Sequence, residues 1–185
     1  MRKIRRVFYI LLLLFAVTGI SRADLLERIK NIIPQPQTIQ NHEQDAISTT
    51  VSYVIDGDTF NCYINGEKVK VRMIGVDTPE SVNETNPELN CEQGKIASNY
   101  TKENLSNRLV WLVYDKEPQD RYGRHLAYVY LDESLTDMYQ EHLLRDGMAV
   151  CMKISPNTTY ANHFAEIEQE AKTNNAGFWA EDFWN

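Results

Sequence analysis

Basic residues are scarce in this chain: 19 lysines and arginines stand against 26 aspartates and glutamates, a formal charge of −7. A polyanion binder held by bulk electrostatics is excluded, because such affinity comes from many Lys and Arg contacts. Cysteine is also rare. Three residues, Cys62, Cys91 and Cys151, exclude a disulfide-dense scaffold, and their spacing fits no zinc site. Outside the cytoplasm one disulfide can form and leave one thiol; three pairings are open. Cys62 alternates with Phe60 and Ile64 and reads as a small buried hydrophobe. Eight glycines and six prolines in 185 residues, without repeats, exclude fibrous and low-complexity classes. The longest uncharged apolar stretch, Val7 to Ile20, has 14 residues, short of the ~20 of a spanning helix. None of the four histidines stands in a Ser-His-Asp or Cys-His arrangement: His42 lies in a linker, His163 on the last helix, and His125 points away from its neighbour Arg124. His142 is expected in the core.

What is present begins with an export signal over residues 1–23: Arg2, Lys3, Arg5 and Arg6, then the apolar stretch, then Ser21-Arg22-Ala23 with small residues at −3 and −1. An uncleaved anchor is the alternative. Cleavage removes five basic residues and no acid, taking the charge from −7 to −12. No cysteine near the cleavage point suggests a lipid anchor. Residues 24–47 read as a short amphipathic helix broken by Pro34-Gln35-Pro36, followed by a linker. Residues 48–185 form one domain.

Within that domain, residues 49–55, 59–64 and 68–76 read as three strands, the last two joined by a two-residue turn at Asn65-Gly66. A loop over 77–91 leads into a helix over 92–105. Strands over 109–115 and 124–131 follow. Leu135, Met138, Tyr139 and Leu143 show helical spacing with Gly147 as a stop. A short extended piece covers 149–154, and a last helix buries Tyr160, Phe164, Ile167 and Ala171. Phe178, Trp179, Phe183 and Trp184 are expected to fold back over the core. The expected class is α+β: a five-stranded OB-fold β-barrel with three α-helices.

Three separated blocks carry the chemistry: Asp56-Gly57-Asp58-Thr59, Arg72 leading into Val76-Asp77-Thr78-Pro79-Glu80, and Asp120-Arg121-Tyr122-Gly123-Arg124. Alone, the first reads as a hairpin turn and the second as a strand stopped by proline. Together they differ. The Asn65-Gly66 hairpin brings Asp58 and Asp77 to one end of the meander, with Asp56 and Glu80 beside them. Four carboxylates in one place repel unless a cation sits among them, and oxygen-only donors favour calcium or magnesium. Outside a cell, mixed carboxylate, carbonyl and water ligands suit calcium. Arg72 and Arg124 offer planar forks for phosphate oxygens. A site with both groups is suited to metal-assisted phosphodiester cleavage, with Glu80 placed to hold or deprotonate a water.

On Val54-Ile55-Asp56-Gly57-Asp58-Thr59, Val76-Asp77-Thr78-Pro79-Glu80, Tyr122-Gly123-Arg124-His125-Leu126-Ala127-Tyr128 and Pro156-Asn157, the chain resembles the thermonuclease (staphylococcal nuclease-like) family over about residues 51–179. The resemblance implies a secreted, calcium-dependent nuclease acting on DNA and RNA and leaving 3′-phosphates, working as a monomer with no membrane attachment once the signal is removed. It implies one Ca2+ held directly by Asp58, Asp77 and the Thr78 carbonyl, with Asp56 and Glu80 acting through water. It implies Arg72 and Arg124 on the scissile phosphate, Glu80 as the candidate base, and Arg121 and Tyr122 on a terminal phosphate. Two departures stand out. Cys151-Met152-Lys153-Ile154-Ser155, before the Pro-Asn pair, has no aromatic residue where the family's best-known member has two tyrosines. The loop over 81–93 is longer and more acidic. The alternatives are a catalytically weak nucleic-acid-binding module of the same fold and a structural calcium-binding envelope protein. The second leaves the placement of Arg72 and Arg124 unexplained. Export ends in the medium or in the cell envelope or periplasm.

Overall fold

The computed structural model describes residues 46–81, 86–181, 183 and 184. The expected signal, short helix and most of the linker, including His42, fall outside the described residues. So does part of the loop after Ser81.

The first expected strand is split. β1 (Ile47–Thr50) pairs antiparallel with β6 (Leu109–Gln119), while β2 (Tyr53–Asp56) pairs with β3 (Thr59–Ile64). Between them the chain changes partner. Val51 exchanges backbone hydrogen bonds with Arg108 and Asn107, and the Ser52 N–H turns to the Asn61 carbonyl. One bent segment thus serves both ends of the sheet, which runs β1, β6, β7 (His125–Tyr130), β4 (Glu67–Met73), β3, β2. The Thr49 hydroxyl donates to the Tyr63 carbonyl at 2.8 Å across the gap. Counting the bent segment once, this is the expected five-stranded barrel-type sheet. It carries three α-helices among the described residues: α1 (Glu92–Leu105), α2 (Tyr139–Arg145) and α3 (Ala161–Thr173).

β3 and β4 (Glu67–Met73) form the hairpin expected from Asn65-Gly66. Both turn residues have positive φ, 53° and 83°, which matches the right-handed strand twist. The expected strand over 68–76 is interrupted. Gly75, at φ 83°, turns the chain so that β5 (Val76–Asp77) leaves the main sheet and pairs with β8 (Val150–Cys151). A side chain at Gly75 would meet the Phe164 ring at 2.5 Å, so helix α3 packs directly on this turn. β6 runs to Gln119, beyond the expected 115, because its far end pairs with His125 at the start of β7 (His125–Tyr130). β7 lies parallel to β4, with Arg72 opposite Leu126.

The core lies between sheet and helices: Phe60, Val71, Met73, Leu112, Val129, Leu143 and Phe164 are buried. Cys62 is among them, as expected, and all three cysteines are free thiols. Phe178 and Trp179 fold over the core; Phe183 stays partly exposed. His142 is not a core residue. Its ring lies over Tyr139, but its Nε2 reaches solvent and Asp137 at 2.5 Å, since the helix starts at Tyr139 and turns that position outward.

Candidate active site

β3 starts and β4 ends at the same edge, with Thr59 opposite Arg72. Asp58, one residue before β3, and Asp77, on β5, both face the Arg72 guanidinium. Nη1 lies 2.7 Å from Asp58 Oδ2 and Nη2 lies 2.7 Å from Asp77 Oδ1. Nη1 also donates to the Val76 carbonyl at 2.9 Å. Asp58 is buried, so each oxygen needs partners. The Thr78 N–H and hydroxyl donate to Oδ2 at 3.0 and 3.2 Å, and the Thr59 hydroxyl donates to Oδ1 at 2.8 Å. Thr78 therefore supports Asp58 from a position twenty residues away.

Asp56 is also buried. It accepts from the Gly57 N–H at 2.8 Å and the Ser81 N–H at 3.2 Å, fixing the segment that carries Glu80. The Glu80 carbonyl accepts from Cys91 N at 3.1 Å just before α1. The fit is tight: a Cβ on Gly94 would stand 2.1 Å from that carbonyl.

The electrostatics are those of excess negative charge. Burial, then repulsion from Asp56, Asp58 and Asp77, raises the Glu80 carboxyl above its usual range. Burial raises Asp77, and Arg72 only partly offsets it, although 39% of the side chain is exposed. Burial raises Asp56 against the pull of its backbone donors. Four carboxylates thus crowd one corner, where Asp58 and Asp77 pair with the Arg72 guanidinium. An oxygen-only donor set with this surplus fits a hard dication. The two aspartates point at Arg72, and among the described residues no group of three or more His, Cys, Asp or Glu is arranged as a ready metal cage. A cation would have to draw the carboxylate oxygens away from the guanidinium.

The third block forms a separate structure. Asp120 and Arg124 close a turn: Asp120 N–H donates to the Arg124 carbonyl at 3.0 Å, and Arg124 N–H donates to Asp120 Oδ1 at 3.0 Å. Arg124 Nε lies 2.6 Å from Asp120 Oδ2. Burial pushes the Asp120 carboxyl up, but hydrogen bonds from Arg124 and Tyr122 outweigh it and hold it below its usual range. Arg121 and Arg124 both lie over the exposed Tyr122 ring, at 4.8 and 5.8 Å. Arg124 lies in the turn just before β7, two residues before Leu126, the register partner of Arg72. Its guanidinium is bonded to Asp120 rather than to the aspartate corner. His125 alternates away, as expected, with Nδ1 2.6 Å from the Tyr114 hydroxyl.

The supporting residues are absent from the sequence-based candidates. Thr101 on α1 donates to the Gly57 carbonyl at 2.6 Å, and the buried Tyr139 hydroxyl donates to Thr101 at 3.1 Å. A Cβ on Gly57 would strike the Thr78 side chain at 2.7 Å. Only Asp120, two residues from a Tyr-Gly turn, carried a signal that a closing carboxylate was needed.

The family described as Staphylococcal nuclease homologue matches residues 70–181. The chain is 41% identical over 132 residues to a thermonuclease of Staphylococcus intermedius, covering 71% of this chain and 76% of that protein. It is 40% identical over 127 residues to a thermonuclease of Staphylococcus hyicus, covering 69% and 72%. It is 38% identical over 143 residues to the endonuclease YncB of Bacillus subtilis, covering 75% of this chain and 64% of that protein. With the split barrel-type sheet and its three helices, these matches place the chain in the staphylococcal nuclease family.

Proposed function

We propose that this protein is a calcium-dependent nuclease that hydrolyses DNA and RNA phosphodiesters after export, as a monomer, leaving 3′-phosphates. One observation carries the reading: Asp58, Asp77 and Arg72 meet within hydrogen-bond distance at the edge of the sheet, with Thr78 and the Glu80 segment locked beside them. The residues that would hold the ion are Asp58, Asp77 and the Thr78 carbonyl, with Asp56 and Glu80 reaching it through water. When bound, calcium supplies a positive centre that neutralises the carboxylate surplus and polarises a phosphoryl oxygen.

The chain's own groups do the rest. Arg72 donates to a non-bridging phosphate oxygen. Arg124, swung off Asp120, adds a second guanidinium as charge develops. Glu80 takes the proton of the attacking water, whose oxygen bonds phosphorus as the P–O5′ bond opposite it breaks, and the departing 5′-oxygen, beside Arg124, takes a proton from solvent. Arg121 and Tyr122 meet a terminal phosphate. The test is degradation of plasmid DNA and of RNA with calcium and then with chelator. Cleavage that survives the chelator would overturn the reading.

A second reading is a catalytically weak nucleic-acid-binding module, and the observation that favours it is the Arg124–Asp120 pair. In that case calcium-dependent binding of a nucleoside 3′,5′-bisphosphate persists while cleavage is absent.

A further inference from the structure

The most exposed aromatic residues of the β-hairpin region are Tyr53 and Tyr63, 62% and 54% exposed. Large tyrosines left in water on adjacent strands need an explanation, since burying such rings is strongly favourable. The register groups them with lysines. Tyr53 lies opposite Asn61, and Asn61 lies opposite Lys70, giving one row across β2, β3 and β4. Tyr63 lies opposite Lys68, giving a second row. Strand alternation puts Asn61 and Tyr63 on one face, with Lys68, Lys70 and Arg72. Cross-strand partners stand about 5 Å apart and diagonal ones about 7–8 Å apart, so Tyr63 is within side-chain reach of Tyr53, Lys68 and Lys70, while Tyr53 lies two strands from the lysines with Asn61 between. Lys68 and Lys70 are exposed, and Glu67, the acid beside Lys68, alternates to the other face. This positive, aromatic face stands out in a chain whose net charge is −7.

We infer that this face is a track for single-stranded nucleic acid, along which bases stack on Tyr53 and Tyr63 while Lys68 and Lys70 hold the phosphates between them. The track ends at Arg72, two residues beyond Lys70 on the same face, and so feeds the proposed cleavage site. Flat rings spaced by cations match the repeat of base and phosphate in an unpaired strand. Duplex DNA, whose bases are already stacked, cannot use the rings. The inference rests on the nuclease reading for its substrate class, but not on cleavage itself.

The experiment measures binding of a fluorescein-labelled twelve-residue oligothymidylate to the full chain in chelator, by fluorescence anisotropy. Y53A/Y63A is expected to weaken binding about tenfold or more, while Y53F/Y63F stays within twofold, because the ring and not the hydroxyl stacks. K68Q/K70Q is expected to lower the slope of log affinity against log salt by about 1.4, two phosphate contacts at ~0.7 each. Inorganic polyphosphate, which has charge but no bases, should bind Y53A/Y63A as it binds wild type. Wild-type affinity of Y53A/Y63A for the oligonucleotide would overturn the track, as would equal losses for the phenylalanine pair or for polyphosphate. Thermal melts of the variants within a few degrees of wild type show that the surface alone was changed. Hydrolysis of a thymidine nitrophenyl phosphodiester with calcium, too small to span the track, reads the nuclease proposal separately. A wild type that cleaves the ester while the tyrosine variants bind normally keeps the nuclease and loses the track. A wild type that cleaves nothing while binding depends on the tyrosines does the reverse.

Discussion

The two arginines proposed to hold phosphate are built in opposite ways. Arg72 is largely buried, its side chain 13% exposed, and it is held by Asp58, Asp77 and the Val76 carbonyl together. Arg124 is 34% exposed and is held within its own turn, by Asp120 and against the Tyr122 ring. Removing one partner of a buried charge pair is strongly destabilising, so Arg72 is a structural element whatever else it holds. A half-exposed pair contributes modestly to stability, and fewer bonds hold its guanidinium in place. The fold thus joins one fixed positive group to one movable one.

The largest expected effect follows from that contrast. Arg72→Ala leaves buried Asp58 without its cation. It should cost about 3–5 kcal/mol in urea unfolding and lower kcat/KM by at least ~10³. Arg124→Ala should lower kcat by about 10² to 10³ with a stability change of no more than ~1 kcal/mol. Equal destabilisation by both substitutions would abolish the distinction.

Calcium should sharpen it, because only the aspartate corner responds. At a hundredfold excess over its Kd the ion stabilises by about 2.7 kcal/mol, a rise in Tm of roughly 7–9 °C at neutral pH. Acid should act on the two regions in opposite directions. The raised carboxyls of Asp56, Asp77 and Glu80 are easier to protonate folded than unfolded. Without calcium, their penalty is relieved as pH falls from neutral towards the ordinary carboxylate range near ~4. Asp120 is held low, so its contribution is present above that range and is lost as pH falls through its folded value. Melts with and without calcium between pH 4 and 7 should therefore converge as pH drops.

The smallest effect tests whether the corner is held by its backing. Gly94→Ala improves helix propensity yet places a methyl 2.1 Å from the Glu80 carbonyl. It should cost about 1–3 kcal/mol and lower kcat, with no change in the affinity for a nucleoside bisphosphate.

Much of this corner was legible in the chain. Asn65-Gly66 fixes the register, and the register alone brings the residues before β3 alongside those after β4. The boundaries of β3 and α1 follow from alternation and helical spacing. What local pattern could not supply were the points where the chain changes partner. Val51-Ser52 is β-branched and polar like any strand, and only the closing sheet divides it. Gly75 reads as an ordinary strand glycine until the Phe164 ring, eighty-nine residues later, occupies its open side. The bond between Asp120 and Arg124 was half legible: the Tyr-Gly turn asks for a closing carboxylate, but an arginine that suits phosphate also suits the nearest acid, and only the folded turn decides between them. Thr101 and Tyr139 have no motif at all, because their task is to satisfy one buried carbonyl.

The hydroxyl chain from Tyr139 through Thr101 to the Gly57 carbonyl runs from the middle of the hydrophobic interior to the turn between two of the acids. Loosening of the interior is therefore expected to reach the acid corner before the molecule comes apart. Catalytic output should fade ahead of global melting on warming, making turnover an early gauge of internal order.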